Sequence, residues 1–134
     1  MISCLLIKVG RNLRGLPIRS EKSIEGEILR IGRSAESSIH LLDHRISLHH
    51  AHIRSALDGK LYIDSENVAM NIDGSLVQSA ELLAGMQIRL GPYQLIVEAL
   101  PESNHLSLSY ELLQPEHDEM AELKNWQPSP QRKM

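Results

Sequence analysis

The 134-residue sequence has no phenylalanine, one tryptophan and one cysteine, and aromatic residues make up only 3% of it. Without phenylalanine, leucine and isoleucine have to fill any hydrophobic core. With Cys4 as the only cysteine, no intramolecular disulfide can form. A chain of this kind suits a reducing compartment, so we predict a cytoplasmic location.

The chain also lacks an excess of positive charge and a long apolar run. Its formal net charge is −3, which argues against a general nucleic-acid binder. The apolar stretch 2–9 is too short to span a bilayer and lacks the basic start of a signal peptide. We therefore predict no membrane insertion within these residues and interpret 2–9 as a first strand.

What is present is the composition of one soluble globular domain, with 42% hydrophobic and 23% charged residues. Short apolar segments recur about every ten residues between glycine, proline and aspartate turn signals, and no helical period stands out. Met86, Ile88 and Leu90 alternate cleanly with Gln87 and Arg89. This pattern predicts an all-β fold, a sandwich of two antiparallel sheets.

We predict that the folded domain covers residues 1–100 and ends near Pro101. Residues 101–134 are then a C-terminal extension or linker, partly disordered, because the sequence after Pro115 is acidic and then rich in glutamine and proline. Within this extension, residues 106–112 alternate between apolar and polar, which would suit an added edge strand. Such a tail leads us to expect further domains in a longer protein.

The strongest functional signal lies between Ile31 and Ile53. A strand-like run ends in Gly32-Arg33, a polar loop follows, and a second loop carries the sequence Ser-x-x-His-Ala at 47–51. In this order the motifs resemble the forkhead-associated (FHA) domain family, whose members are β-sandwiches with loops that bind phosphothreonine peptides. The resemblance extends over roughly residues 5–100, since the downstream loop 64–74 and the alternating stretch 85–91 also fit the family.

The resemblance assigns phosphopeptide binding to Arg33, Arg45, Ser47, Leu48, Glu66 and Asn67, and loop bracing to Gly32 and His50. Arg33 and Ser47 would contact the phosphate, because a guanidinium can hold a phosphate with two hydrogen bonds and a serine offers a hydroxyl and a backbone N–H. Arg45 matches the position that reads residues after the phosphothreonine. Asn67 matches the asparagine that holds the peptide backbone. The resemblance implies a partner protein that carries phosphothreonine.

The sequence departs from the family at three places. Val68-Ala69 follows Asn67 where the family usually has Gly-Thr. Leu48 occupies a position that is commonly arginine or asparagine, and Glu66 stands where a hydroxyl is expected. A carboxylate about 4 Å from a phosphate costs roughly 1–4 kcal/mol per unit charge at a protein surface. The first alternative is therefore a phosphate-independent FHA-like interaction or scaffold domain with a degenerate pocket.

The second alternative is a metal-binding or enzymatic domain built on histidines. Five of the seven histidines lie within residues 40–52, and His50 and His52 would share one strand face. No cysteine pair or matched carboxylate completes a metal site, and no acid is placed to orient His50 toward Ser47. The Gly-x-Ser-x-Gly nucleophile motif is also absent. We therefore predict no metal, no cofactor and no catalytic activity.

Overall fold

The computed structural model describes residues 1–66 and 68–113, and their regular elements are twelve strands. The strands are β1 (Ile2–Arg11), β2 (Pro17–Gly26), β3 (Ile28–Gly32), β4 (Ile39–His40), β5 (Ala51–Ser55), β6 (Leu61–Ser65), β7 (Met70–Ile72), β8 (Ser75–Val77), β9 (Ser79–Glu81), β10 (Gln87–Leu90), β11 (Tyr93–Ala99) and β12 (His105–Leu112). In this part of the chain, no helix has the length and hydrophobicity needed to cross a membrane. The predicted disorder of the tail beyond residue 113 and the predicted role of Asn67 lie outside the described residues.

The strands form two sheets that share one hydrophobic core, so the predicted all-β sandwich is confirmed. One sheet has the order β2-β1-β12-β11-β10-β7-β8, and the other has the order β4-β3-β5-β6-β9. Most neighbours are antiparallel, as predicted. Two pairs are parallel, namely β1 with β12 and β3 with β4.

The prediction that residues 106–112 add a strand at the edge is wrong, because β12 lies inside the larger sheet between β1 and β11. Leu106 and Leu108 are 2% and 0% exposed. The apolar side of β12 therefore belongs to the main core, and the sandwich continues past the predicted end at residue 100. The alternating pattern identified the strand, but it carries no information about which strands become its neighbours.

Only the end of strand β2 falls in the strand region that the sequence predicts from Ile24 to Ile31, because residues 17–23 are all exposed. The strand lies at the edge of the larger sheet, paired only with β1. Several of its side chains are charged, which is how edge strands commonly avoid pairing with other proteins. A strand exposed on both faces gives no alternation of apolar and polar residues.

Leucine and isoleucine supply most of the core, as the lack of phenylalanine required. The alternation around β10 is confirmed, since Ile88 and Leu90 are 0% and 1% exposed while Gln87 lies on the surface. Cys4 is buried in β1 with no disulfide partner, and burial raises the pKa of its thiol to about 12. A thiol in this environment stays protonated at neutral pH and is inert.

Candidate functional site

Three loops meet at one end of the sandwich. They are the β3–β4 loop (33–38), the β4–β5 loop (41–50) and the β6–β7 loop (66–69), of which Asn67 lies outside the described residues. The N–H of Arg33 donates to the carbonyl of Ser47 at 3.0 Å, and the N–H of Ser34 donates to the carbonyl of Leu48 at 3.2 Å. Main-chain hydrogen bonds therefore hold the first loop directly against the second.

Gly32 allows this close approach of the two loops. It is buried, and a Cβ atom at this position would lie 2.2 Å from the carbonyl oxygen of Leu48 and 3.1 Å from that of Ser47. Real carbon–oxygen contacts do not reach the shorter distance, and both obstacles are backbone atoms that cannot rotate away. Glycine is thus needed here because the neighbouring backbone comes too close for any side chain.

His50 connects the second loop to its surroundings through both its backbone and its ring. Its N–H donates to the carbonyl of Ile31 at 2.9 Å, and its own carbonyl accepts from the N–H of Glu66 at 3.0 Å. Its ring nitrogen Nδ1 accepts from the N–H of Ser47 at 3.1 Å, so the ring carries its proton on Nε2. Burial lowers the pKa of His50, which keeps the ring in this neutral form.

Arg33 is an exposed residue whose guanidinium is anchored at one point. Its Nε donates to the carbonyl of Ile46 at 2.9 Å, and within residues 1–66 and 68–113 its two Nη groups make no hydrogen bond. The carbonyl of Arg33 accepts from Nε2 of His40 at 2.9 Å. The guanidinium is thus oriented through Nε and keeps its Nη edge for an anion.

Ser47 and Leu48 follow in the second loop. We expected the N–H of Ser47 to be able to face an anion, but that N–H is taken by His50, so only the hydroxyl can serve a ligand. The hydroxyl makes no hydrogen bond to any described residue. Leu48 is 51% exposed. It therefore offers an apolar surface beside the loop, where the family commonly has a polar side chain.

Arg45 is held by Asp43, a residue that the sequence reasoning missed. Its Nε lies 2.8 Å from Oδ1 and its Nη2 lies 2.9 Å from Oδ2, a two-point contact between two planar groups. The Asp43 side chain is only 7% exposed. The hydrogen bond from Arg45 lowers the pKa of Asp43 to about 2. A carboxylate two residues before an arginine in a loop is the sequence signal that could have identified this pair.

Glu66 does not stand alone at the edge of the third loop. Its Oε2 lies 2.6 Å from Nδ1 of His52, and Nε2 of the same ring lies 3.1 Å from Oδ2 of Asp64. A histidine ring can donate from both nitrogens only when it is protonated. In that form His52 offsets part of the negative charge that Glu66 would present to a phosphate.

The contacts of Asp64 extend this network across the outer face of the smaller sheet. Its carboxylate accepts from Nε of Arg54 and from the hydroxyl of Ser79, and the Arg54 guanidinium lies 4.8 Å from the centre of the Tyr62 ring. Partial burial alone would raise the pKa of Asp64, but these donors outweigh it and the pKa is lowered. Sequence reasoning missed the network, because its members come from three strands.

The three loops border a groove of about 400 Å³, lined by Arg30, Glu36, Ser37, His49 and Glu66. Its walls carry both signs of charge. A site of this composition suits an extended polypeptide with polar side chains more than a small apolar molecule.

The histidines between residues 40 and 52 do not converge on one point. His40 contacts the backbone of Arg33, His50 is buried against Ser47, and His52 lies between two carboxylates. In the part of the chain that the structure describes, no three histidine, cysteine, aspartate or glutamate side chains are arranged to hold a metal ion. The shared face of His50 and His52 is thus divided between two separate hydrogen-bond networks.

Comparison with protein families matches residues 29–91 to the FHA domain. This range begins in β3 and ends just after β10, so it includes all three loops of the candidate site. No curated protein matches the chain.

Solved structures with this fold include a domain described in a structural and functional analysis of phosphothreonine-dependent FHA domain interactions. It is 22% identical with a TM-score of 0.56, covering 72% of this chain and 96% of its own. The second FHA domain of an ABC transporter from Mycobacterium tuberculosis is 22% identical with a TM-score of 0.52, covering 63% and 76%. EmbR of Mycobacterium tuberculosis, solved with a low-affinity phosphopeptide, is 16% identical with a TM-score of 0.53, covering 83% and 24%. At these identities the likeness establishes the fold.

Proposed function

This chain belongs to the FHA domain family through residues 29–91, and on that basis we propose that it is a phosphothreonine-binding module. It recruits a phosphorylated partner protein after a kinase has acted, and it has no catalytic activity of its own. Two proteins of similar fold support this direction, one studied for phosphothreonine-dependent interactions and one solved with a phosphopeptide. Arginine-based capture of a phosphorylated segment is a recurrent recognition mode.

The observation that carries the proposal is how the guanidinium of Arg33 is oriented and hydrogen-bonded. Its Nε is fixed by the carbonyl of Ile46, while its Nη edge has no partner among the described residues. An arginine oriented in this way loses less side-chain entropy when it binds an anion. Ser47, whose backbone is hydrogen-bonded to that of Arg33, adds a hydroxyl donor. Together the two side chains form the phosphate seat.

The remaining site residues bind the peptide around the phosphate. Asn67 holds the peptide backbone through its amide, which both donates and accepts. Arg45 reads side chains after the phosphothreonine, and Asp43 keeps its guanidinium in one orientation. Leu48 adds an apolar contact to the peptide. Gly32 and His50 brace the loops and do not touch the ligand.

The phosphothreonine that the module binds lies outside these 134 residues. They contain no threonine, so neither this stretch of chain nor a second copy of it can present the ligand. Binding between copies through phosphothreonine is therefore excluded for these residues.

A phosphothreonine peptide library provides the test, with the matched unphosphorylated peptides as controls. Arg33→Ala should weaken phosphopeptide binding about tenfold to a hundredfold, the range for losing a hydrogen bond to a charged group. Arg19→Ala removes another exposed arginine, on β2, and should leave binding unchanged. Phosphate-independent binding, or an Arg33→Ala variant that binds like wild type, would contradict the proposal.

The second candidate function is a phosphate-independent interaction module with the same fold. Exposed Leu48 favours it, since an apolar side chain beside the seat offers nothing to a phosphate. In that case unphosphorylated peptides bind as tightly as phosphorylated ones. Leu48→Asn then weakens binding, whereas it would strengthen binding to a phosphate.

A further inference from the structure

The larger sheet extends beyond the smaller one at one corner. Along β1, Ile2, Cys4 and Leu6 are buried in the core, and Lys8 is the next residue on the same face. Side chains two residues apart on a strand point to the same side. Lys8 is exposed, so the inner face of the sheet is no longer covered at this point.

The neighbouring strands continue this uncovered inner face. In the strand register Lys8 is opposite Tyr110 of β12 and Ser20 of β2, while Leu6 is opposite Lys22 of β2. We call the resulting depression the corner groove, which is bounded by Lys8, Lys22, His40, Leu42, Tyr110 and Leu112. Its main part has a volume of about 700 Å³, and a smaller adjoining part of about 210 Å³ shares Lys8 and Tyr110 with it.

The corner groove combines an aromatic and aliphatic surface with positive charge. The rings of Tyr93 and Tyr110 lie 6.4 Å apart within it. Lys8 and Lys22 supply the positive charge of the inner face, whereas Arg19 lies on the outer face opposite Val9. No ion pair joins Lys8 or Lys22 to a carboxylate of the described residues. Since the chain as a whole has a net charge of −3, this positive corner is a local feature.

Two glutamates, Glu21 and Glu111, are also among the residues that line the groove. The alternation of side chains along their strands places both carboxylates on the outer face of the sheet. Glu21 follows Ser20 and precedes Lys22 on β2, and Glu111 follows Tyr110 on β12. Adjacent residues of a strand point to opposite faces, so both glutamates belong to the outer face. The inner face therefore presents lysines over apolar side chains, which complements an acidic segment with apolar residues.

His40 connects the corner groove to the candidate phosphate seat. Its Nε2 donates to the carbonyl of Arg33, and the same side chain lines the groove. His40 thus lies between the loop that carries Arg33 and the groove, and an extended peptide, at about 3.3 Å per residue, is the kind of ligand that could contact both. Because residues 1–134 contain no threonine, a ligand that carries phosphothreonine comes from outside this stretch of chain.

We propose that the corner groove binds an acidic, apolar segment of the phosphorylated partner, next in sequence to its phosphothreonine. This inference rests on the proposed function and adds a second contact to it. Phosphorylation of the threonine then controls whether the partner binds. The flanking segment determines which phosphorylated proteins bind most tightly.

Fluorescence anisotropy with two peptide libraries tests the proposal on the full chain. Both libraries contain one phosphothreonine and leucine residues within six positions on either side, but one has glutamate in its flanks and the other glutamine. We expect the acidic flanks to bind about threefold to tenfold tighter, as two or three exposed ion pairs would give. This preference should shrink in high salt.

The charge reversal Lys8→Glu with Lys22→Glu should abolish the preference and leave binding of the glutamine library nearly unchanged. Arg19→Glu is the matched control, because it reverses a charge on the same hairpin but on the outer face, opposite Val9. Amide chemical shifts of Lys8 and Tyr110 should respond to the acidic library and much less to the other.

The outcomes separate this proposal from the one it rests on. If no peptide of either library needs its phosphate or Arg33, the proposed function fails. If binding needs both but ignores the flanks, or if Arg19→Glu removes the preference equally, the groove proposal alone fails.

Residues 114–134 follow Leu113, which also lines the groove, and carry four acidic residues between 116 and 122. A variant with these four residues changed to their amides tests whether the chain's own tail occupies the groove. If only this variant prefers the acidic library, the tail is the occupant and the proposal is overturned.

Discussion

The two sides of the candidate site are held by different forces. On one side, Arg33 and Ser47 are fixed by backbone hydrogen bonds, by the close approach at Gly32 and by buried His50. On the other side, the carboxylate of Glu66 is held at the protein surface by His52, in a contact that is an ion pair when the ring is protonated. Backbone hydrogen bonds and close packing depend little on salt, whereas exposed ion pairs are weakened by it.

This difference suits the phosphopeptide site that we propose. A phosphate seat at Arg33 and Ser47 would need one fixed geometry, and buried hydrogen bonds together with close packing favour one. The opposite side can vary in charge without loss of the fold, because exposed ion pairs contribute little to stability. Substitutions of the bracing residues Gly32 and His50 should therefore change stability, and those of Glu66 and His52 should change affinity.

Gly32→Ala should have the largest effect on stability. The new Cβ would lie 2.2 Å from the carbonyl oxygen of Leu48, so the two loops would have to move apart. Overpacking of this kind costs about 1–3 kcal/mol, and we expect about 3 because both obstacles are backbone. Gly10→Ala is the control, since a Cβ there meets nothing within 4 Å. Urea denaturation of both variants measures the difference, and equal midpoints would show that the close approach is not needed.

His50→Ala should come next, at about 1–3 kcal/mol, because it leaves the N–H of Ser47 without its partner. The control is His49→Ala, which removes an exposed neighbour. Because burial lowers the pKa of His50 below its value in the unfolded chain, wild-type stability should fall as the pH drops below about 6.5. His50→Ala should lose that part of the pH dependence. An unchanged melting temperature would reject the bracing role.

The same contrast explains what could be predicted from the sequence. The motif Gly32-Arg33 with Ser47 and His50 was identifiable because its residues and their order along the chain resemble those of the FHA family. The pairing of Glu66 with His52 was not, since their contact joins a loop residue to a strand residue fourteen positions earlier in the chain. The position of β12 beside β1 depends on contacts about a hundred residues apart, which local alternation does not encode. Most of strand β2 was not predicted because its residues 17–23 are exposed on both faces.

Asp43→Asn should have a smaller effect on stability, about 1 kcal/mol, since the amide keeps one hydrogen bond to Arg45. The lowered pKa of Asp43, about 2, means that its contribution is complete above the unfolded value near 3.9. That contribution is lost as the pH falls from about 4 to about 2. Wild type should therefore lose more stability over this range than Asp43→Asn does. Denaturation curves at pH 4 and pH 2.5 measure this, and parallel losses would argue against the pair.

The smallest effect on stability, within about 0.5 kcal/mol, is expected for Glu66→Gln and His52→Gln, and their effect should appear in phosphopeptide affinity. With His52 present and protonated, Glu66→Gln should tighten binding only about twofold, because the charged ring offsets the carboxylate. With His52→Gln in the background, the same substitution should tighten binding about fivefold to tenfold, since an isolated carboxylate near the phosphate costs more than 1 kcal/mol. A double-mutant cycle by fluorescence anisotropy, at low salt and at 0.5 M salt, measures the coupling. Equal gains in both backgrounds would mean that His52 does not screen Glu66. The size of the gain then distinguishes two cases. No gain in either background would mean that the phosphate lies beyond the reach of Glu66, and a large gain in both would mean that the phosphate meets the full charge of Glu66.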